Sequence, residues 1–118
     1  MPVQTNSQKM AQTAYQQVLK RRPSREFVSF AREFPALVHS CGLAQAIAFA
    51  KAKKQHQAQY LQDLAAVLHA IGHAEAASAD DLDRATREHP VPSYLRLSRN
   101  ALQAAGWLKR YVEAVEQE

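Results

Sequence analysis

The sequence has one cysteine, Cys41, and three glycines, Gly42, Gly72 and Gly106, and each scarcity excludes a class of protein. A lone cysteine permits no disulfide framework and no cysteine-based zinc cluster, and it suits a reducing compartment. Glycines this far apart form neither a GxGxxG turn nor a Walker-type phosphate cradle, which removes the common nucleotide-cofactor enzymes. No apolar run approaches the roughly 20 residues needed to cross a bilayer, and the polar start MPVQTNSQKM lacks a signal-peptide core. A cytoplasmic protein with no membrane partner is expected. The 118 residues suit a single domain, 1–118, large enough to hold a core without covalent staples.

What is present is charge, unevenly placed. The formal net charge is +4, yet residues 1–60 hold nine Lys or Arg against Glu26 and Glu33, a net of +7, while residues 61–118 hold six basic and nine acidic side chains, a net of −3. A basic half suggests an anionic partner.

Helical periodicity dominates, and few glycines with many Ala, Gln and Leu favour helix over strand. Met10, Ala11, Ala14, Tyr15, Val18 and Leu19 form the apolar stripe of a first helix that Pro23 ends. Ser24 can cap a second, with Phe27, Phe30, Ala31 and Phe34 inward and an interruption at Pro35. The stretch 37–50 is apolar nearly all round and predicts a central, buried helix, with Gly42 as a kink or junction and Ser40 as the cap of a piece starting near Leu43. KAKKQHQAQ then reads as a solvated exit. Tyr60, Leu61, Leu64, Ala65, Leu68 and Ile71 mark a helix fading near Gly72. Ser78 with Asp81 reads as a capping box for a short charged helix that stops before His89-Pro90. After Pro92, a heptad-like seam of Tyr94, Leu97, Ala101, Ala104, Leu108, Tyr111 and Val115 predicts a long last helix, packed inside the bundle or against a partner. The expected fold is all-α: a compact bundle of five to six helices with a buried central helix and a long C-terminal helix.

Candidate chemistry is sparse. His69 and His73 would share a helix face, but no third ligand stands beside them and no Glu-x-x-His motif exists, so no metal site is expected. Cys41 lies in an apolar stretch, two residues from His39, and reads as packing. Asp80, Asp81 and Asp83 read as a solvated helix cap. No catalytic residue and no cofactor are expected. The basic groups differ: Lys51, Lys53 and Lys54 follow the apolar stretch, Lys20, Arg21, Arg22 and Arg25 cluster at the first turn, and Arg96, Arg99 and Arg110 can lie along one side of the last helix. Such groups, brought together, bind a phosphate backbone without reading sequence.

Two blocks, SFAREFPALVHSCGLAQAIAFAKAK (29–53) and YLRLSRNALQAAGWLKRYVEA (94–114), resemble the small helical subunit of the Cmr complex, the type III-B CRISPR RNA-guided effector. The resemblance rests on Phe30, Pro35, Gly42, Leu43, Phe49 and Lys53, then on Tyr94, Leu97, Ala101, Leu102, Trp107, Leu108, Lys109 and Arg110, and the blocks cover about two fifths of the chain. The region 55–89 carries no family signal beyond being helical. The resemblance implies a non-catalytic protein that stacks with further copies of itself beside larger Cmr effector subunits, along the channel holding crRNA and target RNA. It implies nucleic-acid contact at Lys53, Lys109 and Arg110, to which proximity adds Lys51, Lys54, Arg96 and Arg99. A second reading is a protein-interaction module whose last-helix seam and Trp107 dock a partner helix, with the charge serving solubility.

Overall fold

Thr5 opens the first helix by a reciprocal cap. Its hydroxyl accepts from the Gln8 N–H at 3.0 Å, and the Gln8 side chain accepts from the Thr5 N–H at 2.8 Å. This helix, α1 (Asn6–Arg21), ends where Arg22 turns left-handed at φ 48° and Pro23 forbids continuation. Ser24 then caps α2 (Arg25–Cys41) by accepting from the Phe27 N–H at 3.1 Å. There follow α3 (Leu43–Lys51), α4 (Gln55–Ala70), a 3-10 turn at Ala74–Ala76, α5 (Ala79–Glu88) and α6 (Val91–Glu116). The computed structural model describes residues 4–52 and 55–116, and every regular element among them is helical.

The expected break at Pro35 does not occur, and α2 runs through it to Cys41. A proline in a helix interior costs about 3 kcal/mol. Phe30, Ala31, Phe34 and Val38 are all buried on the same helix, and each buried phenylalanine contributes about 1.5–3 kcal/mol, which outweighs that cost. The chain breaks at Gly42 instead, where φ is 86°, a value that a side chain disfavours. Gly42, not Ser40, precedes α3 and offers no side-chain cap. The Tyr94 hydroxyl supplies one from α6, accepting from the Ala44 N–H at 3.1 Å.

The stretch 37–50 is therefore the end of one helix and nearly all of another, and it leaves Phe49 exposed. The central, most completely buried helix is α4, with Tyr60, Leu61, Asp63, Leu64, Ala65, Val67 and Leu68 all inside. It touches every other helix of the bundle. The Tyr60 ring meets Phe27, Phe30 and Phe34 with centroids 5.9, 5.3 and 5.0 Å away, in tilted or edge-on contacts that aromatic rings favour. Gly72 closes α4 at φ 103°, with the His73 N–H on the Leu68 carbonyl and the Gly72 N–H on that of His69. Across this layer lies α6, against α1, α2 and α4. Its seam residues Leu97, Ala101, Ala104 and Leu108 are fully buried there, so they face this chain's own core and not a partner helix.

One charge pair crosses the interior. Arg21 grips the fully buried Asp63 through two bonds, Nη2 to Oδ1 at 2.6 Å and Nε to Oδ2 at 3.2 Å, tying the end of α1 to α4. Burial pushes the Asp63 carboxyl above its ordinary range, and Arg21 offsets this only in part. In Arg21→Ala the offset is lost, and a buried carboxylate without its partner should cost about 3–5 kcal/mol of stability at pH 7. A raised folded-state pKa favours the protonated form, so stability is lost as pH rises through it; the deficit should shrink as pH falls to 4. Urea unfolding of both proteins at the two pH values checks this, and an equal deficit at each would contradict it.

Candidate nucleic-acid interface

The outer face of α6 follows from its inner one. With Leu97, Ala101, Ala104, Ala105, Leu108 and Val112 turned inward, the 3.6-residue period sends Arg96, Arg99, Gln103 and Arg110 to the opposite side, and all four are exposed. Fourteen residues separate Arg96 from Arg110, about four turns and about 21 Å along the axis. Three guanidinium groups thus form a straight stripe on one rigid element. The stripe has an aromatic flank: the Arg110 guanidinium sits 5.9 Å from the Trp107 ring centroid. Trp107 stacks on Tyr111 at 5.9 Å with 17° between planes, and Tyr111 meets Tyr15 of α1 edge-on at 5.4 Å.

The remaining basic candidates go elsewhere. Lys109 is turned about 100° from Arg110 by the helix and lines a 560 Å³ groove between α2 and α6 with Arg25, Ser29, Arg32, Glu33 and Glu113. Arg32 pairs with Glu113 at 3.4 Å there, so that groove carries both signs. Lys51 spans from α3 to α5, with Nζ 2.8 Å from Asp80 and 3.3 Å from Asp83. The hydrogen bond to Asp80 holds the Lys51 ammonium above its ordinary range and the Asp80 carboxyl below its own. Asp83 also takes Arg87 of its own helix and is only 13% exposed, so it departs from the solvated cap expected and joins Asp80 in a clamp between α3 and α5, while Asp80, exposed, and Asp81, partly exposed, stand in the first turn of α5 as expected. Lys53 and Lys54 lie outside the described residues.

The family model described as "CRISPR-associated protein (Cas_Cmr5)" matches residues 6–115. A curated relative, the CRISPR system Cmr subunit Cmr5 of Thermus thermophilus, is 38% identical over 121 residues, spanning 98% of this chain and 100% of its own. The chain belongs to the Cmr5 family. Its fold agrees: the crystal structure of a CRISPR-associated Cmr5 family protein from the same organism superposes with a TM-score of 0.84 at 36% identity, covering 95% of this chain and 97% of that one. Membership carries the non-catalytic character that the resemblance implied. The match also runs through residues 55–89, where the sequence by itself offered only helical pattern.

In this Cmr5-family chain the two histidines singled out as a metal pair do not share a face. Exposed His69 is on α4, whereas buried His73 lies beyond Gly72. His73 Nε2 accepts from the Asn100 amide of α6 at 2.8 Å, which leaves Nδ1–H toward Glu75 Oε1 at 3.4 Å. His89, at the end of α5, meets the other Glu75 oxygen at 2.8 Å. The cluster therefore fastens the α4–α5 connection to α5 and α6. No group of three or more His, Cys, Asp or Glu among the described residues is arranged to hold a metal ion. Cys41 directs its thiol to the Leu37 carbonyl at 3.2 Å, within its own helix. No helix among the described residues is long and apolar enough to cross a membrane.

Burial works against the ionised form of Glu75, but the bond from His89, its own backbone N–H and His73 outweigh it, and the carboxyl is held below its ordinary value of 4.5. Stability from a lowered carboxyl is present above the unfolded-state value and lost as pH falls through the folded one. Glu75→Gln should melt about 3–5 °C below the wild type at pH 7, the size expected for losing one charge-assisted bond of about 1 kcal/mol. Thermal unfolding followed by circular dichroism should show that gap closing by pH 3, and a gap constant with pH would refute the assignment.

Proposed function

We propose that this chain is the small, non-catalytic subunit of a type III-B Cmr ribonucleoprotein effector. Copies of it stack beside larger subunits in the interior of the complex, and a basic face contacts the backbone of crRNA and target RNA. Family membership supports the assembly. The observation that carries the RNA contact is the alignment of Arg96, Arg99 and Arg110 along one exposed side of α6. Cations in a row on a rigid rod match the spaced charges of a phosphate backbone and discriminate little between sequences. Sequence reading is then left to base pairing, the division of labour in RNA-guided effectors. A single copy binds weakly, and an array of copies binds firmly because linked contacts raise avidity.

Lys109 belongs to the contact as a lateral group one helix face away. Lys51 contributes least, since Asp80 and Asp83 already neutralise it. Lys53 and Lys54 are retained as backbone contacts on the family pattern and on proximity.

Binding of RNA to the free chain, followed by polarisation across a salt series, tests the reading. Each phosphate contact contributes about −0.7 to the slope of log K against log salt, so replacing all three arginines with alanine should flatten it by about 2. The loss should be alike for unrelated RNA sequences. A wild-type slope near zero would remove the RNA contact and leave a subunit held by protein surfaces alone.

A further inference from the structure

Beside the arginine stripe, between α1 and α6, lies an open groove of 450 Å³ lined by Gln4, Gln8, Ala11, Gln12, Tyr15 and Tyr111. None of these described lining side chains is charged. Its floor is the end of the aromatic row that begins under Arg110, and the last ring, Tyr15, is 45% exposed. Leaving that much of a tyrosine in water forgoes burial energy. Tyr111 meets the ring edge-on, Trp107 stacks on Tyr111, and Arg110 lies over Trp107 in turn.

The groove thus offers a rigid aromatic face, neutral amides and, one side chain away, the cation that begins the arginine stripe. We propose that this groove seats an unpaired nucleobase of an RNA strand whose phosphates lie on Arg110, Arg99 and Arg96. The proposal deepens the RNA-contact reading and rests on it. A base has the flat face that an aromatic ring holds by stacking, without preference for sequence. Its edge carries both donors and acceptors, and Gln4 and Gln12 present both in return. Gln8 is already engaged, its side chain accepting from the Thr5 N–H. A lining without cations and with an aromatic face suits a base better than a phosphate, which the neighbouring arginines take, so the chemistry of the two surfaces divides the nucleotide between them. Duplex RNA has its bases stacked on both sides and their pairing edges occupied, so the groove selects strands with at least one unpaired nucleotide.

Polarisation measurements at low salt and high protein concentration should compare a labelled single-stranded RNA with the same strand annealed to its complement. Four proteins are needed: wild type, Tyr15→Ala, Tyr15→Phe and the triple arginine variant. Tyr15 is exposed, so its replacement leaves the core intact. Tyr15→Ala should weaken single-strand binding about fivefold to a hundredfold, leave duplex binding unchanged and leave the salt slope unchanged, while Tyr15→Phe keeps wild-type affinity. Trp107, the only tryptophan in the chain, should change its emission on binding the single strand and not the duplex. Loss of RNA binding in the arginine variant with no effect of Tyr15→Ala would overturn the base seat and leave the backbone contact standing. Equal weakening of both RNAs by Tyr15→Ala would also overturn it, as would loss of binding to another effector subunit with RNA affinity intact. Failure of the wild type to bind either RNA would end both readings.

Discussion

Burying the inward stripe of α6 removes Leu97, Ala101, Ala104, Ala105, Leu108 and Val112 from water against α1, α2 and α4, and the rest of the molecule is arranged by that contact. Alanines stand between the two leucines of the stripe, small enough for the long helix to pack against α1, α2 and α4 together. Once the helix is seated, its rotation about its own axis is fixed, and with it the direction of every outward side chain. The arginine row is therefore a by-product of core packing. Tyr94 and Asn100 show the same economy: they leave α6 sideways to cap α3 and to orient His73, so one helix both covers the core and finishes two neighbouring elements.

The sequence made the helices legible wherever caps and apolar spacing agreed. Ser24, Ser78, Pro23 and the residues around Gly72 mark boundaries because each acts on its own few neighbours. Pro35 was misleading for the opposite reason. Its local cost is real, and the burial that overrides it comes from contacts with Tyr60, far along the chain. Asp83 and Lys51 stand 32 residues apart, and no local pattern announces that they meet. The arginine side of the site was readable as helical spacing, since Arg96, Arg99 and Arg110 share one element. The aromatic row was not, because Tyr15 joins it from α1 through tertiary packing alone.

Charge behaves differently in space than along the chain. Lys51 and Arg21, both from the basic half, are held by Asp80, Asp83 and Asp63 of the acidic half. The exposed stripe on α6 in turn arises from the half whose net charge is negative. Division of the sequence into +7 and −3 therefore describes the clamps that hold the helices together as much as it describes a surface. Among the described residues, exposed basic groups stand in a short row on α6, Arg96, Arg99 and Arg110, and at the turn between α1 and α2, Lys20, Arg22 and Arg25.

The pairing of α1 with α6 places the two ends of the described chain side by side. During synthesis this has a cost in time. The first helix leaves the ribosome with Met10, Ala14 and Val18 uncovered; α4 supplies part of its cover, and α6 follows later. At about 5–20 residues per second, the roughly seventy residues between α1 and α6 take on the order of 4–14 s. Through that interval the nascent chain carries a hydrophobic helix covered only in part, and premature termination within α6 would make the condition permanent. A bundle in which α1 packs on α6 thus ties the completion of its core to the synthesis of α6.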